Sequence, residues 1–142
     1  MRPQSSRPGQ STGYEASTRN IRVSVSPQYM EEQSSPDESY FFWAYTVTIS
    51  NDGEETVQLR SRVWHITDAN GRRQEVRGPG VVGQTPVIAP GESFSYTSGC
   101  PLETPSGIMF GSYQMSNTRG ELFDIAVPAF SLDSPFAIRS VN

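Results

Sequence analysis

Polar and apolar residues alternate along much of this chain with a period of two. Ile21, Val23 and Val25 are separated by Arg22, Ser24 and Ser26, the pattern of a strand with one buried face. Tyr29 and Met30 extend it past Pro27, a residue that strands tolerate at a sheet edge. Residues 31–38 read as an exposed loop. Residues 40–50, YFFWAYTVTIS, carry the strongest strand signal, rich in aromatic and β-branched side chains. Asn51-Asp52-Gly53 then gives a hairpin signal, because these residue types tolerate positive φ. A further strand is predicted over residues 56–67, with Val57, Leu59, Val63, Trp64 and Ile66. Asp68-Ala69-Asn70-Gly71 turns it into a short polar strand over residues 72–77.

Beyond a turn at Pro90-Gly91, residues 93–98 alternate around Phe94 and Tyr96, and residues 99–107, with Pro101 and Pro105, read as a loop. Residues 108–116 and 122–127 form two more strands around a turn at residues 117–120. Pro128 interrupts the second, and Phe130, Leu132, Phe136 and Ile138 supply a last edge segment. No window has a helical period. Short strands punctuated by turns predict an all-β fold, an immunoglobulin/fibronectin type III-like β-sandwich of about seven or more antiparallel strands.

Composition narrows the picture. The 142 residues, 35% hydrophobic, suit a single domain with a real core. Residues 1–18 are rich in Pro, Gly, Ser, Gln and Thr with almost nothing to bury, so they read as a flexible tail ahead of a domain over residues 19–142. A net charge of −4 disfavours duplex nucleic acid as a partner. No stretch is long and apolar enough for a membrane span, and no apolar run follows Arg2 and Arg7 as in a signal peptide. Cys100 is the lone cysteine and His65 the lone histidine, which exclude an internal disulfide and a Cys/His zinc site within one chain, and fit a cytoplasmic location.

Gly78, Gly80 and Gly83 spell G-x-G-x-x-G, the dinucleotide fingerprint, and with Gln84 and Thr85 come close to a P-loop. Both motifs aim backbone amides and a helix N-terminus at phosphate, so a helix must open directly after the glycines. Here Pro86 and Pro90 forbid one, and Gln84 stands where a P-loop has its lysine. A glycine-rich connection between strands is the favoured reading, and nucleotide binding is not expected. Arg60, Arg62, Arg72, Arg73 and Arg77 gather five of the 11 basic residues near this loop. Gly78, Gly80 and Gly83 with Arg72, Arg73 and Arg77 therefore form the candidate anion or partner loop, weighed against a plain exposed hairpin.

Several segments in this order resemble the ApaG family, over about residues 21–130. They are Phe42 to Ile49, Arg62 to Asp68, Gly78 to Gly83, Pro90-Gly91-Glu92, Tyr96 to Gly99, Glu103-Thr104-Pro105 and Gly111 to Met115. The resemblance implies a fibronectin type III-like sandwich in a bacterial protein, often encoded beside a diadenosine-tetraphosphate hydrolase and linked genetically to cobalt resistance and magnesium efflux. It also implies kinship with domains of eukaryotic F-box proteins and of a polymerase-interacting protein, which look like protein-binding modules. Pro79 departs from the acidic residue frequent at that position in the family.

No other cluster gathers a chemistry. His65 has no metal-ligating residue at strand spacing, and Cys100 would need it as a base. Glu31, Glu32, Asp37 and Glu38 lack the glycine and spaced oxygens of a calcium loop. Trp43, Trp64 and Tyr113 read as core. The expectation is a non-enzymatic interaction module without cofactor or metal, binding an unidentified protein partner. A weak nucleotide or pyrophosphate sensor and a metal-responsive protein are the alternatives.

Overall fold

Burial follows the alternation: Ile21, Val23 and Val25 point into one core with Trp43, Tyr45, Val47 and Ile49, while the intervening side chains face water. The computed structural model describes residues 13–140, of which residues 14–133 form nine strands. They are β1 (Tyr14–Thr18), β2 (Ile21–Tyr29), β3 (Phe41–Asn51), β4 (Val57–Asp68), β5 (Arg73–Pro79), β6 (Val87–Ile88), β7 (Ser93–Leu102), β8 (Ser106–Asn117) and β9 (Leu122–Asp133). A short helix α1 (Pro135–Ser140) follows. One sheet has the order β1-β2-β3-β7 and the other β5-β4-β8-β9, with β6 added beside β4; all pairings are antiparallel. The two sheets bury Trp43, Leu59, Tyr113, Met115, Ile125 and Phe130 between them. This is the predicted β-sandwich.

Several boundaries differ from those expected. Tyr14–Thr18 pair with Val25–Ile21, and the Tyr14 ring lies 6.1 Å from that of Phe130, so residues 14–18 belong to the sandwich rather than to the expected tail. The rest of the expected tail, residues 1–12, lies outside the described residues. Asn51-Asp52-Gly53 is not a hairpin, because β3 and β4 belong to different sheets. The Asn51 side chain fastens this crossing: its amide donates to the Glu55 and Ile88 carbonyls at 2.7 and 3.0 Å, and its Oδ1 accepts from Gly53 N. The segments expected to be loops at Pro101 and broken at Pro128 are strand. Both prolines lie on edge strands, where a missing N–H leaves no ladder partner unsatisfied, and Pro128 falls at a bulge where β9 slips against β8. Phe136 packs on the core from α1 rather than from an edge strand.

The two flanks of the sandwich are unlike. On one, Ala126 N of β9 donates to Thr18 Oγ1 of β1 at 3.2 Å, stitching the sheets together. On the other, the edge strands β5 and β7 leave an opening to the interior.

Candidate functional site

The glycine loop joins β5 to β6 and stands at that open flank. Val81 and Gln84 exchange backbone hydrogen bonds of 2.8 Å in both directions, and Val82 and Gly83 between them have φ of 41° and 79°. Two central residues with positive φ make a tight turn of the I′ kind, not a phosphate cradle. Gly80 N donates to the Arg60 carbonyl at 2.9 Å. The amides of Gly80, Val81 and Gln84 are thus engaged by backbone carbonyls, and no helix follows to aim others.

Two consequences follow for this turn. Gly80 needs its φ of 62°, and a Cβ there would sit 2.4 Å from the Gln84 carbonyl oxygen. Val82, by contrast, is a β-branched residue held in the left-handed region while half exposed. Val82→Asn is therefore expected to raise stability by about 1 kcal/mol, since Asn tolerates that conformation. Urea denaturation checks this, and a loss of stability would show that the Val82 side chain holds the turn.

The loop's carbonyls have a definite partner. A bulge at Arg60, between Leu59 and Ser61, resets the alternation of β4, so that Arg62 falls in phase with the buried Trp64 and Ile66. Arg62 Nη1 donates to the Pro79 carbonyl at 3.0 Å and the Gly80 carbonyl at 2.8 Å. Its cross-strand neighbour is Gly78, where a Cβ would lie 3.0 Å from both terminal guanidinium nitrogens. Gly78 thus lets the guanidinium lie flat against β5. The G-x-G half of the motif is a seat for an arginine.

Of the five arginines near this loop in sequence, the candidates Arg72, Arg73 and Arg77 do not bond to it through their side chains, and neither does Arg60. Arg72 and Arg73 lie at the other end of β5, about 20 Å away along a strand rising ~3.3 Å per residue. Arg72 pairs with Glu103 at 3.3 Å, Arg77 with Glu75, and Arg60 Nε donates to Ser116 Oγ at 2.9 Å. Arg62, one of the five arginines that the sequence gathers near the loop, was left out of the candidate set of Arg72, Arg73 and Arg77, yet its side chain is the one bonded to the loop. A basic residue two positions before Trp64 lies on the inner face, provided the alternation is counted back from the tryptophan.

Behind Arg62 lies a phenol cluster. The Tyr96 and Tyr113 hydroxyls are 2.6 Å apart, and Tyr45 is buried beside them. Burial raises the pKa of all three, with Arg62 pulling weakly the other way, and burial pushes the Cys100 thiol up to about 11. Cys100 faces the core of one sheet while His65 faces outward from the other, so they form no nucleophile and base pair. Because the folded values exceed the unfolded ones, about 8.5 for Cys and 10 for Tyr, the neutral forms stabilise the fold fully below pH ~8.5. That contribution falls away as pH climbs through and beyond 10. Urea midpoints should hold level across pH 7–8 for these groups and drop above pH ~9. A midpoint unchanged up to pH 11 would contradict the burial of these groups.

The outer faces of the sheets also differ. On β3 and β7, Thr46–Thr97, Thr48–Ser95 and Ser50–Ser93 form three hydroxyl rungs of 2.8–2.9 Å. On β8 the outer face instead shows Ile108 and Phe110, 51% and 45% exposed. The His65 ring stacks on Phe110 at 4.9 Å, and its Nδ1 lies 3.8 Å from Glu75 Oε1. Glu31, Glu32, Asp37 and Glu38 are exposed on two short 3-10 turns, and no three potential metal ligands gather among the described residues.

Two antiparallel sheets packed face to face make the chain a fibronectin type III-like β-sandwich. The comparisons narrow this. The ApaG domain matches residues 31–117. Protein ApaG of Mesorhizobium japonicum is 61% identical over 129 residues, covering 91% of this chain and 99% of that protein. Protein ApaG of Parvibaculum lavamentivorans is 59% identical over the same coverage. The crystal structure of the putative ApaA protein from Bordetella pertussis superposes with a TM-score of 0.79 at 50% identity, covering 81% of this chain and 94% of that one. The chain belongs to the ApaG family. No helix among the described residues is long and apolar enough to cross a membrane.

Proposed function

We propose that the chain is a non-catalytic protein-interaction module that engages its partner through the outer face of the β4–β8 sheet. The observation that carries this reading is the adjacent exposure of Ile108 and Phe110 on a central strand, with His65 stacked alongside. Large apolar side chains exposed together on a sheet mark a contact surface, and aromatic residues at its centre supply most of the binding energy. The opposite sheet presents hydroxyl rungs already bonded to one another, with a stacked Tyr40–Phe42 pair confined to one end of β3. The surrounding Arg73, Glu75 and Arg77 would form the polar rim. The family's genetic link to cobalt and magnesium is read as acting through such a partner rather than through a bound ion. A cytoplasmic setting agrees with Cys100 as a free, buried thiol.

The test is affinity capture from a lysate of an ApaG-bearing bacterium, comparing the native chain with an Ile108→Ser/Phe110→Ser double variant. A protein retained stoichiometrically by the native chain and lost from the variant, at unchanged circular dichroism, supports the reading. Identical capture by both would move the surface elsewhere.

A further inference from the structure

The opening between β5 and β7 holds a cleft of about 200 Å³, separate from the β8 surface and on the opposite face of its sheet. Its walls include the aromatic rings of Tyr45 and Trp64 and the apolar Ile66, Val76 and Met109, and Arg62 stands in it. The polar groups that converge there are few: the Arg62 guanidinium, the Tyr45 hydroxyl beside Ser98, and Gln74. Apolar walls combined with a few convergent polar groups give this cleft the form of a small-molecule site.

We infer that this cleft binds a carboxylate carried on an apolar body, with Arg62 as its anchor. Three observations bear on the ligand's chemistry. Among the described residues, the hydrogen bonds of the guanidinium run from Nη1 alone, to Pro79 and Gly80, which leaves Nη2 and Nε as donors. Those two N–H groups lie on one edge of a planar fork, the geometry that meets both oxygens of a carboxylate at once. The seat then fixes the fork, because Gly78 permits flat packing against β5 and the loop carbonyls hold one nitrogen. Little side-chain freedom remains to be lost on binding.

The walls exclude other anions. A phosphate dianion needs several donors around it, and the loop amides that could supply them are engaged by carbonyls. Behind the guanidinium stand neutral, buried phenols and hydrocarbon, which favour an aliphatic or aromatic body over a second charge. A free small carboxylic acid and the C-terminus of a protein chain present this same chemistry.

Titration of the 15N-labelled full chain followed by NMR tests the assignment, reading the Trp64 indole and the Ser98 and Gly99 amides. The probes are benzoate, its neutral counterpart benzamide, inorganic phosphate, and acetyl-Ala-Val-Val with a free or amidated C-terminus. Saturable shifts with benzoate, at least tenfold weaker with benzamide, are expected in the native protein without recourse to any variant. Arg62→Gln should weaken benzoate at least tenfold, and Gly78→Ala, which pushes the guanidinium off its seat, severalfold. Tighter binding of the free-carboxylate peptide than of benzoate, absent in its amide, would identify a chain terminus as the ligand. Binding of benzoate alone would identify a small acid. Equal shifts with benzamide, displacement of benzoate by equimolar phosphate, or no saturation by either carboxylate would overturn the inference.

Discussion

Trp64→Ala should lower stability by about 3–5 kcal/mol, the range found when a large buried aromatic is removed. Trp64 is 3% exposed and lies where the inner faces of both sheets meet. Its ring packs edge-on against Tyr45 at 5.4 Å, Tyr113 at 6.2 Å and Phe130 at 6.0 Å, which tie β3, β8 and β9 to β4. Each such aromatic pair adds about 0.5–1.5 kcal/mol beyond its buried area. The site also cannot collapse around a smaller side chain. Gly111, on the neighbouring strand, already brings its backbone so close that a Cβ there would lie 2.1 Å from the Val63 carbonyl oxygen. Urea denaturation should show the whole loss in the midpoint, with the slope unchanged. A loss under 1 kcal/mol would mean that Trp64 is not the hub of the core.

Gly80→Ala is expected to cost about 2–4 kcal/mol, combining left-handed strain with a backbone clash. The clash is with the Gln84 carbonyl oxygen, which accepts the Val81 amide and cannot retreat without opening the turn. Gly83→Ala makes the informative comparison. Its φ of 79° carries the same conformational penalty, but a Cβ there meets nothing within 4 Å, so the cost should stay near 1 kcal/mol. A turn that serves as a seat for Arg62 predicts this inequality. A loop shaped around phosphate would leave the two glycines alike in stability and unlike wild type in ligand affinity. Equal thermal shifts for the two variants would contradict the seat.

Much of the fold was legible because one sheet face is buried throughout, so a period of two appears at Ile21–Val25 and again at Val47–Ile49. The misreadings cluster where tertiary context overrides local chemistry. Tyr14–Thr18 has one useful apolar anchor, Tyr14, and becomes a strand because β2 offers it an edge. Pro101 and Pro128 look like breaks, yet an edge strand has spare ladder positions for both. The Asn51 turn has hairpin chemistry but crosses between sheets, a choice made by pairing partners far along the chain. At the candidate site, the glycines were visible, and Arg62 was visible as one of five nearby arginines but not as their partner. The bulge at Arg60 changes which face Arg62 occupies, and a bulge leaves no local mark in sequence. Arg72 and Arg73 were close to the loop in sequence and distant in space, because β5 runs between them.

If the Gly78–Gly83 turn serves as a seat for Arg62, nucleotide phosphate should find no site there. Isothermal titration of the full chain with ATP and with pyrophosphate, at physiological salt, tests it most directly. Exposed arginines give only attraction that is screened beyond about 8 Å under these conditions. No saturable heat is expected from either ligand, for the native chain or for Gly80→Ala. A stoichiometric micromolar isotherm that survives added salt and disappears in Gly80→Ala would contradict it.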